Sequence, residues 1–297
     1  VGGDRPETTL CYGPSGAGKT AVARRGVEKL KREVLEVDSA YVEAWDRRSA
    51  AVLRRVVDSV SRKPIQDNAG RDVLMERIRN HDRHIVVILD ELDQLAEFGV
   101  VHDLYQCRNT TLVGIVNRLE PLYHRLDERI ESRVRAAVEV HFDAYTDGEL
   151  TAILEDRADW ALAPNAVSPQ TLRAIARRAD GDARRGVSML RNAAKVADSE
   201  GHAELTIDLV DSIRDDAERD VREISLAKLG TDERRLYEAL RGAGEVSVDG
   251  VYERYRAASR SDPTNRYIRS LRKRLVDYNL LAKLGGKHDR RYQALEP

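Results

Sequence analysis

The chain has 297 residues, 41% of them hydrophobic and 34% charged, which is enough for two domains or three small ones with their own cores. Its formal net charge is −1, and it contains no run of about 18 apolar residues, which excludes a membrane-spanning helix. Cys11 and Cys107 have neither disulfide nor metal spacing, and the seven histidines are scattered, which argues against a disulfide scaffold and a structural zinc.

With no basic leader followed by an apolar stretch, the expectation is of reduced thiols in a cytoplasmic chain. The charge is unevenly spread. Val221–Pro297 carries 17 Lys+Arg against 11 Asp+Glu, or +6, and the remainder carries −7. A basic tail on an acidic body raises the question of nucleic acid at the C-terminal end.

In chain order, strands are predicted at Thr8–Tyr12, Val34–Val37, Ile85–Leu89, Thr111–Val116 and Ala137–Phe142. Helices are predicted at Lys19–Arg32, Tyr41–Val60, Asp72–Asn80 and Val101–Gln106. This alternation is that of an α/β fold, a parallel sheet covered by helices, over residues 1–145. The run IVVIL (Ile85–Leu89) is apolar at every position, as a central strand buried on both faces requires. From 146 to 216 the pattern is helical, with caps at TDGEL, SPQTL and TIDLV, and forms a small helical domain. The charged stretch DDAERDVREIS (Asp215–Ser225) connects it to a last domain, 217–297, of three helices and a hairpin turning at LGGKHD.

GPSGAGKT (Gly13, Pro14, Ser15, Gly16, Ala17, Gly18, Lys19, Thr20) follows the first strand and opens the first helix, as a Walker A loop does. Its glycines let backbone N–H groups approach phosphate oxygens at a helix N-terminus. Lys19 would reach the β and γ phosphates of ATP, and Thr20 would hold Mg²⁺. ILDELD ends the buried strand on Asp90, which would hold the same magnesium, and Glu91, which would polarise the attacking water. Asn117, at the end of TLVGIVN, would orient water near the γ-phosphate or else cap a helix. In DERIESRV, Arg129 and Arg133 would reach a neighbouring subunit's γ-phosphate or form surface ion pairs. Arg184, in GDARRGVSMLRNAA, would sense nucleotide from the helical domain. The order of these parts is that of an AAA+ P-loop module with a helical lid.

In NRYIRSLRKRLVDYNLL, Ile268, Leu271 and Leu275 share one helical face, with Arg266, Arg269, Arg272, Lys273 and Arg274 largely away from it. The preceding helix turns Val251, Tyr252 and Tyr255 inward, and a hairpin with Lys287, Arg290 and Arg291 follows. That order is a winged helix: the second helix enters a major groove and the wing touches backbone or minor groove.

YGPSGAGKT, VVILDELDQL, DLYQCR, VGIVN, LDERIESRV, VHFDAYTDGELTAILEDRA and DGDARRGVSMLRNAA, with the tail from LAKLG onward, together resemble the archaeal origin-recognition/cell-division-control family of replication initiators. The resemblance implies ATP/ADP and Mg²⁺ as cofactors and double-stranded origin DNA as partner. It also implies recruitment or loading of the replicative helicase, self-assembly on DNA and a nucleoid-associated place in the cytoplasm. Slow hydrolysis would act as a switch. Arg129 fits the family's arginine-finger position, and Arg133 stands where the family often has serine. A short DNA-touching helical insertion is expected around Ala40–Arg55. The family carries a longer adenine-gripping segment before the loop than Val1–Tyr12, which leaves open a truncated chain or a divergent paralogue with weakened ATP affinity. Two rival readings are a non-catalytic DNA-binding regulator on the same fold and another AAA+ machine of clamp-loader type.

Overall fold

Residues that alternate between two buried faces build one parallel sheet in the first half of the chain. The computed structural model describes residues 7–34, 36–45, 47–61, 64, 66, 68–212, 214–227, 229–259, 263–286 and 289–296. They fall into two compact units, meeting in sequence at Tyr145 and Thr146.

The first unit runs β1 (Thr9–Tyr12), α1 (Lys19–Glu33), β2 (Val37–Glu43), α2 (Ser49–Val60), α3 (Arg71–Arg79) and β3 (His84–Asp90). After a short 3-10 turn come α4 (Gly99–Gln106), β4 (Thr110–Val116), α5 (Leu119–Tyr123), α6 (Glu128–Arg135) and β5 (Val138–His141). The strands form a five-stranded sheet in the order β2-β3-β4-β1-β5, every pair parallel. Ile85, Val87 and Leu89 join the larger core with Val52, Val56 and Leu104, while Val86 and Ile88 join the opposite core with Val27 and Ile115. Successive side chains of a strand point to opposite faces, so an unbroken apolar run feeds both cores. Tyr12 pairs with Val116 and Leu89 with Gly114, so β1, β3 and β4 end along one sheet edge.

The second strand lies later than the sequence pattern places it. Val34 ends α1, its N–H bonding Leu30 O at 2.7 Å, and the strand is Val37–Glu43, paired from Val37↔His84 to Glu43↔Asp90. The predicted helix start at Tyr41 is therefore strand, and the helix begins at Ser49. Polar residues hid the strand: Asp38 is paired with His81 and Arg83, while Ala40 and Val42 are fully buried on the core face. Ala40–Glu43 is thus β2 and Ser49–Arg55 is α2, and among the described residues no inserted helix stands between them.

The second unit holds α7 (Asp147–Ala161), α8 (Pro169–Ala179), α9 (Ala183–Glu200), α10 (Ile207–Ser212) and α11 (Arg214–Ala227). Thr146 and Glu149 close a capping box on α7, and Ser168 and Asp182 cap α8 and α9. The helix α11 runs through position 216, where the sequence pattern put a domain boundary. There follow α12 (Thr231–Leu240), β6 (Val246–Ser247), α13 (Val248–Ala258), α14 (Asn265–Asp277), β7 (Leu281–Leu284) and β8 (Arg291–Ala294). β6, β8 and β7 make a three-stranded antiparallel sheet, one strand more than the expected hairpin. Tyr237, Tyr255, Ile268, Leu271 and Leu275 form its buried core with Tyr292. No helix among the described residues is long and apolar enough to cross a membrane.

Candidate functional site

The loop after β1 is shaped by three glycines with positive φ: Gly13 at 147°, Gly16 at 77° and Gly18 at 81°. A Cβ on Gly13 would lie 1.9 Å from Phe142 O, and one on Gly18 would lie 2.3 Å from Tyr145 Oη. Both dihedrals and space therefore demand glycine. Gly18 is the N-cap of α1 and supplies no side-chain cap, which leaves the helix N-terminus to an anion. Pro14 and Ser15 are exposed, and Ala17 is buried beneath the loop.

Lys19 is only 7% exposed, and a buried ammonium is tolerated only with hydrogen-bond partners. Its Nζ donates to Gly13 O at 2.8 Å, Pro14 O at 2.7 Å and Asn117 Oδ1 at 3.1 Å. Asn117 does not cap α5, whose N-cap is Arg118. Its amide instead joins the loop after β4 to the loop after β1.

Asp90 ends β3 with both carboxylate oxygens engaged. Oδ2 accepts the Thr20 and Tyr41 hydroxyls, each at 2.8 Å, and Oδ1 accepts the Glu91 N–H at 3.0 Å. Asp90 O also accepts the Ala44 N–H at 2.8 Å. Glu91 follows at φ 55°, a left-handed conformation that costs a non-glycine residue about 1–2 kcal/mol. Burial, then the charge and hydrogen bond of Asp90, push the Tyr41 phenol far above its ordinary range, so it stays a neutral donor. Sequence reasoning missed Tyr41 because it read the residue as the start of a helix. The alternation of Ala40 and Val42 around it was the signal of a strand.

Thr20 and Asp90 put a hydroxyl and a carboxylate oxygen 2.8 Å apart. This is a hard-oxygen pair that fits magnesium, which takes one or two protein oxygens and completes its shell from phosphates and water. Among the described residues no group of three His, Cys, Asp or Glu side chains is placed to hold a metal by itself.

The arginines differ in their freedom. Arg129 and Arg133 lie on α6, whose N-cap Asp127 accepts the Ile130 N–H at 2.9 Å. Arg133 is half-buried, with Nη1 2.6 Å from His102 Nδ1 and its guanidinium 5.2 Å from the Tyr105 ring centre, both on α4. Arg129 is exposed on the same helix. In the second unit, Arg184 is exposed in the first turn of α9.

On α14, Arg266, Arg269 and Lys273 are exposed and recur at i, i+3 and i+7, opposite the buried Ile268, Leu271 and Leu275. Arg272 is half-buried, its guanidinium 4.5 Å from the Tyr292 ring centre and 5.9 Å from that of Tyr252. Arg274, grouped with the outward cations by the sequence pattern, is instead 4% exposed and bonded to Glu233. Arg290 is half-buried, Arg291 is exposed beside Glu245 and Asp289, and Lys287 lies outside the described residues.

Comparison with known proteins gives two matching family models, described as "AAA domain" over residues 4–126 and "Cdc6 AAA+ ATPase-type lid domain" over 151–215. The chain is 34% identical over 272 residues to "ORC1-type DNA replication protein 1" of Halobacterium salinarum, covering 90% of this chain and 88% of that protein. It is 31% identical over 298 residues to "ORC1-type DNA replication protein 9" of the same organism, covering 99% and 84%. The ORC1 protein of Aeropyrum pernix, solved in complex with DNA, superposes at a TM-score of 0.68 and 27% identity, covering 98% of this chain and 83% of that one.

Proposed function

The chain belongs to the ORC1/Cdc6-type family of AAA+ DNA replication proteins, and from that premise we propose that it is an ATP-switched initiator that grips origin duplex DNA. The observation that carries the reading is the meeting of Lys19, Thr20, Asp90 and Asn117 along one edge of the sheet. Bound ATP with Mg²⁺ would supply the phosphoanhydride bond that is hydrolysed and the charge that neutralises its oxygens.

This chain's residues then divide the work. Gly13, Gly16 and Gly18 open backbone N–H groups toward phosphate, and Lys19 exchanges its loop carbonyls for phosphate oxygens. Thr20 and Asp90 hold the magnesium, Glu91 takes the proton of the attacking water, and Asn117 orients that water. Arg184 senses the nucleotide from the lid. Arg129 completes a neighbouring copy's site when copies assemble on DNA, since Arg133 is already held by His102 and Tyr105.

In the second unit the proposal divides the lid, 146–216, from a winged helix, 217–297. Arg266, Arg269 and Lys273 on α14 face the duplex, with Arg291 on the wing; Lys287, the further cation expected there from the sequence, lies outside the described residues. Arg272 and Arg290 support these elements from half-buried positions. The +6 charge of Val221–Pro297 supplies the salt-dependent part of the affinity. Recruitment of the replicative helicase is part of the same proposal.

The test is fluorescence anisotropy of a labelled duplex against salt, with ATP and with ADP. Replacing Arg266, Arg269 and Lys273 by alanine should reduce the slope of log affinity against log salt by about 2 to 3, at about 0.9 per phosphate contact. It should also weaken binding to every duplex tested. A slope unchanged by the triple replacement, or binding indifferent to nucleotide, would contradict the proposal.

A further inference from the structure

The structure assigns Tyr41 as the positioning residue for Asp90, holding its carboxylate in the orientation that recruits magnesium. The inference rests on the nucleotide-site reading above and adds a residue on a different strand to it.

The geometry is specific. Tyr41 sits on β2 opposite Ile88, two positions before the Glu43↔Asp90 pair, and its hydroxyl donates to Asp90 Oδ2 at 2.8 Å. The same oxygen takes the Thr20 hydroxyl at 2.8 Å, while Oδ1 takes the Glu91 N–H at 3.0 Å. An ionised carboxylate offers about four lone-pair positions, so these three donors leave one acceptor position open and fix the rest. Rotation of the carboxylate would break bonds to β2, to α1 and to its own backbone together. Thr20 alone does not do this, because its hydroxyl must also turn a lone pair to the metal.

The ring of Tyr41 is fixed as well. The Arg24 guanidinium lies 4.6 Å from its centre, and Arg24 is one helical turn beyond Thr20 on α1. The helix that carries the metal-binding hydroxyl thus also clamps the ring of the residue that steers the carboxylate. Groups that orient a metal site's ligands by hydrogen bonding act on metal affinity rather than on binding of the rest of the ligand. Removing only the hydroxyl should therefore separate magnesium affinity from nucleotide affinity.

The experiment uses the full chain and N-methylanthraniloyl-ADP as probe, titrated first in EDTA and then with MgCl₂. Tyr41→Phe should raise the half-saturating Mg²⁺ concentration about tenfold, with metal-free nucleotide affinity within twofold of wild type. Tyr41→Met, a second variant without the hydroxyl, should shift it in the same direction, and thermal melting would establish that each variant is folded. Arg24→Met, which loosens the ring but keeps the hydroxyl, should shift the midpoint in the same direction by clearly less than Tyr41→Phe, about threefold at most. An unchanged midpoint in Tyr41→Phe overturns the inference, as does an equal shift in Arg24→Met or an equal loss of affinity with and without metal. Failure of the underlying reading looks different: wild type would bind no probe, or would bind it as well as Lys19→Ala.

Discussion

The ion pair between Arg274 and Glu233 offers a measurable test of how α14 is held. Arg274 Nη1 lies 3.2 Å from Glu233 Oε1, and both side chains are 3% exposed. The partners are 41 residues apart in sequence and tie α14 to α12, while Arg274 Nη2 donates to Tyr278 Oη at 3.1 Å. At that separation the attraction is about 5 kcal/mol with an effective dielectric constant near 20. Desolvation of two buried charges offsets much of it, so the intact pair adds little net stability. Losing one partner is different, because the other charge stays buried without its counter-ion.

Glu233→Ala is therefore expected to cost about 3–5 kcal/mol. For a unit of this size that lowers the melting temperature by roughly 6–20 °C. Combining Glu233→Leu with Arg274→Met, which replaces the pair by apolar groups, should recover most of the loss. Thermal unfolding of wild type, single and double variants, followed by circular dichroism, reads all three. A single-variant cost below about 1 kcal/mol, or a double variant no better than the single, would refute the reasoning.

Three other outcomes follow from the first unit. Gly13→Ala puts a methyl group 1.9 Å from Phe142 O at a φ of 147°, so it should cost at least about 2 kcal/mol in thermal melts and abolish nucleotide binding. Glu91→Gln should keep ATP affinity within a few-fold while slowing single-turnover hydrolysis by about 100-fold or more, read by phosphate release. For Asp38, burial alone would raise the carboxyl, but the His81 hydrogen bond and the Arg83 charge outweigh it and hold the pKa below its ordinary value. A depressed folded pKa means that the stabilisation is present above the unfolded value near 4 and is lost as pH falls through the folded value. Asp38→Asn should accordingly lower stability at neutral pH and flatten the acid limb of a stability–pH curve.

The grouping of the candidate site's residues was legible because they lie close together in sequence or end a buried strand. Glycines at fixed offsets, a lysine and a threonine follow one strand, and the carboxylate of Asp90 ends a run whose burial on both faces its composition announces. What escaped was settled by partners distant in sequence. Strand β2 carries Asp38, Ser39 and Tyr41, polar groups that interrupt an apolar strand pattern and that His81, Lys31 and Asp90 satisfy. Five cations crowd α14 between Arg266 and Arg274, and helical spacing sets all five largely away from the apolar face, although only Arg266, Arg269 and Lys273 are exposed. It does not reveal that Arg274 finds a buried carboxylate or that Arg272 lies on tyrosine rings, because Glu233, Tyr252 and Tyr292 lie on other elements. Likewise Arg129 and Arg133 look alike in sequence, and only the neighbouring α4 distinguishes them.

The measurement that bears most directly on the account is titration calorimetry of ATP with magnesium into the 297-residue chain and into Lys19→Ala. Wild type should show saturable one-site binding that disappears in the variant, since Lys19 is the buried cation of the loop. Absence of binding by both proteins, or equal binding by both, would contradict it.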